Sequence, residues 1–250
     1  MNPLRAVLLA VSFICASLIS LPLCLARPFH RDNNRLCSRL YAAFGLPCLG
    51  LKVRLEGKEH LPVTEPRVII ANHQSNLDLF VMGRIVPSNA VVVGKQSLSL
   101  VPLFGQLFWL GGNVLIRRSN RRQAMAAMKA SQHALLKRRR SVWIFPEGTR
   151  SRGNGLLPFK KGAFHTAIAA AVPITMICVS DYGRSLASRG QQPPQAHVRV
   201  LPPVATAHLK PSDAMALMAQ CQAAMAAELA DLNGQPAINE PGSDSHTRAA

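Results

Sequence analysis

The chain has 250 residues, 48% of them hydrophobic, which is enough apolar material for one domain with a sizeable core. A formal net charge of +17 indicates a polyanionic partner, which could be nucleic acid, an anionic membrane surface or a phosphorylated substrate. The six cysteines form no CxxC pair and no zinc-finger spacing, which argues against a disulfide framework and against a metal site. We expect buried thiols in a reducing compartment.

The N-terminal segment has the length and composition of a membrane helix. No charged residue occurs between Arg5 and Arg27, a run close to the roughly 20 residues that cross a bilayer. The run is long for a cleaved signal peptide, and Pro28 makes a poor cleavage context, so a retained helix is favoured. Because Arg27, Arg31, Arg35 and Arg39 all follow the run, we expect a cell inner-membrane protein whose body lies on the cytoplasmic face. The sequence allows either a spanning helix or one within a single leaflet.

A second apolar stretch, Leu36–Leu51, is interrupted by Arg39, Gly45 and Pro47. It is too short and broken to span a bilayer. It fits either an amphipathic helix in the membrane interface or a helix that packs on the core. We assign residues 1–51 to a membrane-associated segment.

The body of the chain alternates between strand-like and helix-like patterns, which predicts an α/β fold with a sheet flanked by helices. The predicted strands are Lys52–Leu55, Val68–Ala71, Ala90–Val93, Asn113–Ile116, Val142–Phe145, Ile174–Val179 and Val198–Leu201. Predicted helices cover Gln123–Leu136, Gly162–Ala171 and a longer segment that begins at Ser212. We therefore predict a catalytic domain at 52–232 and a disordered tail at 233–250, where the apolar period is lost.

Polar residues follow the predicted strand Val68–Ala71, in the segment Asn72–Asp78. The carboxyl edge of a sheet is where α/β proteins bind ligands. There, Asp78 could fix the tautomer of His73 and leave its other ring nitrogen free to take a proton from an alcohol. Considered alone, a histidine and an aspartate five residues apart are a weak signal, and a structural histidine is the better interpretation.

A second constellation, Phe145–Gly153, follows the predicted strand Val142–Phe145. Its small residues, exposed amides, hydroxyl and two guanidinium groups are suited to holding a phosphate. Considered alone, this loop fits a basic surface turn equally well.

Taken together, the two constellations resemble the signatures of the glycerolipid acyltransferases. His73 and Asp78 match the HxxxxD motif of that family, and FPEGTRSRG matches its second motif in order and spacing. Further similar stretches are Val93–Leu98, Pro102–Gly105, Gly112–Arg118, Leu156–Phe164 and Val172–Ile174. The resemblance extends from about Lys52 to Ser180, and ordered motifs are far more specific than either constellation alone. Two departures are Arg117, where the family often has an acid, and Thr175-Met176 after Val172–Ile174.

The resemblance implies an acyltransferase that esterifies the sn-2 hydroxyl of lysophosphatidic acid to give phosphatidic acid. It implies that His73 is the general base, that Asp78 orients it, and that Glu147 shapes the loop and pairs with a cation. It further implies that acyl-CoA or acyl carrier protein supplies the acyl group, with no cofactor and no metal. The residues implied to bind substrate are Lys95, Arg118, Glu147, Gly148, Thr149 and Arg150.

Other functions remain open at this point. The acceptor could be another lyso-lipid, such as lyso-ornithine lipid, or the protein could bind membrane lipids without catalysis, although binding alone needs no base. Nucleic-acid binding is disfavoured because aromatic platforms and reader motifs are missing. The basic run Lys137–Arg140 ends a predicted helix, where cations suit the dipole, and we expect it to face anionic lipid. Phe108 and Trp109 fit an acyl groove, a membrane-facing surface or ordinary core.

Overall fold

A computed structural model describes residues 3–61, 64–116, 121–187 and 193–234. Seven strands form one sheet in the order β1-β7-β6-β2-β5-β3-β4. The strands are β1 (Lys52–Glu56), β2 (Val68–Ala71), β3 (Ala90–Lys95), β4 (Val114–Ile116), β5 (Ser141–Ile144), β6 (Ile174–Val179) and β7 (Gln195–Val200). Each of the seven predicted strands is present, with bounds within three residues of the prediction, and the α/β fold class is confirmed.

The direction of the strands brings five carboxyl ends to the same edge of the sheet. Strand β2 runs parallel to β5 and β6, and β3 runs parallel to β5 and β4. Only β7 and β1, which pair with each other in parallel, run antiparallel to β6 and the rest. We call the edge where β2 to β6 end the carboxyl edge, and the edge where they begin the amino edge.

Helices cover both faces of the sheet. They are α1 (Pro3–Ala26), α2 (Asn33–Leu49), α3 (Asp78–Val81), α4 (Phe104–Leu110), α5 (Arg121–Leu136), α6 (Gly162–Ala170), α7 (Tyr182–Ala187) and α8 (Ala214–Leu232). Helices α1 to α4 and α7 pack with Ile69 and Ala71 of β2, whereas α5, α6 and α8 pack with Val68 and Ile70. This explains why β2 is an uninterrupted apolar run: a strand buried on both faces needs apolar side chains on both.

Helices α1 and α2 form an antiparallel hairpin that lies against the domain. Phe13 stacks on Tyr41 with ring centroids 5.1 Å apart, and the Ser17 hydroxyl lies 2.8 Å from the Tyr41 hydroxyl. Near the hairpin's turn, the buried sulfurs of Cys24 and Cys37 are 3.5 Å apart. The stretch Leu36–Leu51 packs on the core, as one of its two interpretations expects, and its contact with the membrane interface stays a prediction.

Helix α1 is long and apolar enough to cross a membrane, with a mean hydropathy of 2.4, and only 33% of its most apolar window is buried. One side of α1 packs on α2 and α4. The other side exposes large apolar side chains along the whole helix, at Leu4, Val7, Leu8, Val11, Ile14, Leu18, Ile19, Leu23 and Leu25. The hairpin therefore presents a continuous apolar face outward.

Arg199 of β7 links α8 to β1, the outermost strand on that side of the sheet. Its guanidinium donates to Glu56 of β1 at 2.7 Å, to Asp231 of α8 at 2.8 Å and to Glu228 of the same helix. Three carboxylates thus depend on one cation for their neutralisation.

We predict that Arg199→Met lowers the free energy of unfolding by about 1–2 kcal/mol, because it leaves three carboxylates facing one another around an apolar side chain. Thermal unfolding in detergent micelles measures the change. The matched control is Arg184→Met, which removes a single exposed pair with Asp181 and should change the midpoint little. Equal midpoints for the two variants would contradict the role assigned to Arg199.

Candidate active site

The two sequence constellations meet at the carboxyl edge of the sheet. Residues 72–77 follow β2, and residues 145–153 follow the neighbouring strand β5. The backbone amide of Ser151 donates to the carbonyl of His73 at 2.8 Å, and that of Arg152 donates to Gln74 at 3.2 Å. These hydrogen bonds hold the second loop directly beside the histidine.

His73 and Asp78 form a hydrogen-bonded pair. The His73 Nδ1 atom lies 2.6 Å from Asp78 Oδ2, and the aspartate is only 3% exposed because it begins α3 beneath the loop. The imidazole stacks on Phe145, with ring centroids 4.1 Å apart. Asp78 is placed to accept a hydrogen bond from Nδ1–H, which favours the tautomer whose lone pair lies on Nε2. No described residue hydrogen bonds to Nε2. This is the arrangement a general base requires.

Asp78 accepts hydrogen bonds from more than the histidine. The backbone amides of Gln74 and Ser75 donate to its Oδ2 at 2.8 and 3.2 Å. The Tyr182 hydroxyl donates to Oδ1 and lies 2.9 Å from the Ser75 hydroxyl. Burial, and next the charge of Asp78, raise the pKa of Tyr182 above its usual value, so this hydroxyl stays protonated and remains a donor.

Sequence reasoning did not find Tyr182. It begins α7, three residues after β6, the strand that pairs with β2 on the side opposite β5. A tyrosine just past the carboxyl end of a strand was the available signal. Sequence reasoning also missed the anchoring of the histidine loop: Asn72 and Gln74 both donate to the carbonyl of Val179, at 2.9 and 2.8 Å.

Glu147 connects the two loops from inside the protein. It is 3% exposed; its Oε1 accepts the His73 backbone amide at 2.7 Å and its Oε2 accepts that of Leu157 at 2.9 Å. Burial raises the pKa of its carboxyl above the usual value, and the two amide hydrogen bonds oppose that shift. Among the described residues no cation pairs with Glu147. Its partners are two backbone amides where the resemblance implied a cation, and its implied part in binding substrate stays a prediction.

The loop at 148–150 places cationic groups beside the pair. Gly148 has φ +71°, and a Cβ there would lie 2.9 Å from the Lys160 side chain, so glycine lets that lysine cross over the loop. The Nε of Arg150 is buried and has no hydrogen-bond partner among the described residues. Thr149 is exposed beside it. A buried guanidinium donor without a partner suits an anionic ligand.

Two further residues predicted from the sequence to bind substrate are Lys95 and Arg118. Lys95 ends β3, which neighbours β5, and its exposed side chain lies at the same edge as His73. Arg118 lies outside the described residues, as does Arg117. Beside the loop, a cavity of about 150 Å³ has mostly apolar walls that include Val93, Ile144 and Phe145.

Comparison with known proteins identifies the class to which this fold and site belong. Residues 52–180 match the family model described as Acyltransferase, a span that contains both constellations. The chain belongs to this family. Tyr182 lies just beyond the matched segment.

Several curated relatives share most of the chain. The 1-acyl-sn-glycerol-3-phosphate acyltransferases of Salmonella typhimurium and Escherichia coli are 43% and 42% identical over 194 residues, which is 78% of this chain and 79% of theirs. The human alpha enzyme of the same name is 36% identical over 203 residues, 80% of this chain and 71% of its own. The crystal structure of the Thermotoga maritima 1-acyl-sn-glycerophosphate acyltransferase has the same fold, with a TM-score of 0.68 at 20% identity, over 93% of this chain and 98% of that one.

We predict that Tyr182→Phe lowers kcat about tenfold, because Asp78 loses a hydrogen bond that fixes its orientation and, through it, the position of the His73 ring. Without that donor, Asp78 stabilises the protonated imidazole more strongly, so the acid limb of the pH–rate profile should move to higher pH. Steady-state acyl transfer from pH 5 to 9 measures both effects.

The matched control is Tyr41→Phe, which removes another buried hydroxyl, paired with Ser17 far from the catalytic pair. Loss of activity in Tyr182→Phe without any movement of the acid limb would mean that Tyr182 supports the fold only.

Proposed function

We propose that this protein transfers an acyl group from a thioester to the sn-2 hydroxyl of 1-acyl-sn-glycerol-3-phosphate, giving phosphatidic acid for phospholipid biosynthesis. The observation that carries the proposal is the hydrogen bond of 2.6 Å between His73 and Asp78 at the carboxyl edge, where no described residue hydrogen bonds to Nε2 of the histidine. The names of relatives at 42–43% identity support the acceptor.

In the proposed mechanism His73 Nε2 removes the proton from the acceptor hydroxyl while Asp78 stabilises the resulting imidazolium. The acceptor oxygen attacks the thioester carbonyl, an ester C–O bond forms, and the C–S bond breaks. The thiolate of coenzyme A or of acyl carrier protein leaves and takes up the proton held by His73. No acyl-enzyme forms, because the attacking oxygen belongs to the acceptor, and the proposed steps use no cofactor and no metal.

The cationic loop is proposed to hold the acceptor phosphate. Arg150 contributes its Nε, which has no hydrogen-bond partner in the described part of the chain, and the amides of Gly148 and Thr149 line the same turn. Lys95 is proposed to add charge from the end of the neighbouring strand β3, and Arg118, which lies outside the described residues, is proposed to contribute a further charge. Holding the phosphate fixes the sn-2 hydroxyl relative to His73, which removes much of the entropic barrier to reaction. The apolar cavity beside the loop suits the acyl chain of the thioester.

We also propose that α1 attaches the catalytic domain to the cytoplasmic face of the inner membrane. The outward apolar face of α1 supports contact with lipid. Its inner face contacts α2 as far along as Cys24, and it contacts α4 through Phe13, whose ring centroid lies 5.8 Å from that of Phe104. These contacts favour a helix that lies along the membrane with the domain beneath it.

Formation of labelled phosphatidic acid tests the reaction. Purified protein is given lysophosphatidic acid with acyl-CoA or with acyl-acyl carrier protein, and His73→Ala is compared with His133→Ala, an exposed histidine on α5. We predict product from the native protein and from His133→Ala, and a loss of about 10²–10⁴-fold in His73→Ala.

Product from the native protein with one donor only would identify that donor. Folded native protein that forms no product with either donor would contradict the assigned acceptor. Equal rates for the two histidine variants would contradict the assigned base.

The phosphate assignment makes a separate prediction. Arg150→Met should raise KM for lysophosphatidic acid about 10- to 100-fold, because a charge-assisted hydrogen bond to phosphate is lost. The control is 1-acylglycerol, the same acceptor without phosphate, whose low rate should be unchanged by the substitution. If both acceptors are affected equally, Arg150 does not bind the phosphate.

A further inference from the structure

A second basic site lies at the amino edge of the sheet, on the side opposite His73. It is a cavity of about 780 Å³ formed by the segment after α1, the residues before β3 and β5, and the turn after α4. Its walls include four arginines, Arg31, Arg138, Arg139 and Arg140, and two aromatic residues, Phe29 and Trp109. Lys95, Glu147, Gly148, Thr149 and Arg150 are not among its described lining residues.

The positive charge of this amino-edge cavity is not neutralised by the described protein. No carboxylate lines the cavity, and no described carboxylate is within ion-pairing distance of Arg138, Arg139 or Arg140. Arg31 has only the adjacent Asp32, at 3.9 Å, and that carboxylate also accepts a hydrogen bond from Ser88. The cavity therefore holds a surplus of cations, which an anion would stabilise.

Arg140 is the buried member of the cluster, with an exposed fraction of 8%. Its guanidinium donates to the carbonyl oxygens of Phe29 and Gly111, which fix its position without cancelling its charge. Burial, and next the charge of Arg138, lower its pKa from the usual value. A buried cation held only by neutral acceptors is costly to the free protein. A bound anion would offset that cost.

Residues with strained backbone conformations are concentrated around the cavity. Six non-glycine residues of the described chain have positive φ, and three of them line this cavity: Phe29 at 58°, Asn89 at 59° and Arg139 at 48°. The Asn89 side chain donates to the Arg139 carbonyl at 2.6 Å and so holds the strained arginine in place. Strain of this kind persists where surrounding structure enforces it, and it clusters at binding sites.

One wall of the cavity continues the apolar face of α1. Trp109 is 62% exposed and meets Phe29 edge-on, with ring centroids 4.8 Å apart. Phe29 follows α1 by three residues, after the exposed Leu23 and Leu25 of the outward face. Exposed aromatic residues at the end of an apolar helix are typical of the zone where lipid headgroups begin.

We propose that the amino-edge cavity binds the phosphate headgroup of an anionic membrane phospholipid, as a site separate from the acceptor site at the carboxyl edge. Arg138, Arg139 and Arg140 contact the phosphate, and the acyl chains lie along Phe29, Trp109 and the outward face of α1. The pairing of a concave arginine cluster with an apolar wall that continues the outward face of α1 favours a lipid over nucleic acid, since a nucleic acid has no acyl chain to cover that face.

Fluorescence of Trp109 tests the proposal in the full-length protein in detergent micelles. The chain has two tryptophans, and Trp143→Phe leaves Trp109 as the sole reporter; the buried Trp143 Nε1 has no described partner, so this change removes no described hydrogen bond. The titrants are dihexanoyl phosphatidylglycerol, dihexanoyl phosphatidylcholine and inorganic phosphate. We expect saturable binding of phosphatidylglycerol, with little response to the other two.

Arg138→Ala/Arg139→Ala should weaken the binding of phosphatidylglycerol roughly 30-fold, because two basic contacts to the headgroup are lost. These exposed arginines are replaced and the buried Arg140 is kept, so that the fold is preserved. The matched control is Arg54→Ala/Arg84→Ala, which removes two exposed arginines elsewhere and should bind as the parent does.

Three results would overturn the proposal. An equal response to phosphatidylcholine would mean that the site does not distinguish an anionic from a zwitterionic headgroup. Equal binding of inorganic phosphate would make the site one for free phosphate and not for lipid. Unchanged binding in Arg138→Ala/Arg139→Ala would place the lipid elsewhere. Because phosphatidylglycerol is not the product of the proposed reaction and no turnover is measured, the outcome does not depend on the proposed function.

Discussion

The arrangement of side chains at the carboxyl edge depends on the hydrogen bonds that the Asp78 carboxylate accepts. Buried at the start of α3, it accepts hydrogen bonds from the His73 ring, from the Gln74 and Ser75 amides, and from the Tyr182 hydroxyl. A buried carboxylate must have its acceptor sites filled, and here the donors come from the loop after β2 and from the helix after β6. Satisfying one charge therefore fixes the histidine's tautomer, the path of its loop and the position of α7 together.

Glu147 performs a related task for the second loop. Its two oxygens each accept one backbone amide, so that the residues after β5 are tied to His73 and to the segment leading into α6. Two buried acids thus organise the edge, and no described cation is within ion-pairing distance of Glu147. Because the loop is held by backbone amides, Arg150 can keep a donor that has no partner among the described residues beside an organised catalytic pair.

The sequence was sufficient for the strands and for the two motif loops because each has a local signal. Val68–Ala71 and Ile174–Val179 are apolar runs of strand length, and the structure places strands at the same bounds. Tyr182 was missed because its role arises from pairing between β2 and β6, distant in sequence, and no local pattern encodes that contact. The amino-edge cavity was only partly visible. The run Lys137–Arg140 was conspicuous, but its contacts with Phe29 and Gly111 are long-range.

The two edges of the sheet are related through α1. Leu8 of α1 lies near Cys48 at the end of α2, and Cys24 lies near Cys37 at its start, so α1 runs from the carboxyl edge to the amino edge.

A helix of 24 residues is about 36 Å long, close to the thickness of the hydrocarbon core. If α1 crossed the bilayer upright, the charged domain packed along it would be drawn into hydrocarbon, where uncompensated arginines are costly. If α1 lies along the surface, its outward face meets lipid and both edges reach the headgroup layer. The same orientation then gives the catalytic pair access to a lipid acceptor and gives the arginine cluster access to a second phosphate.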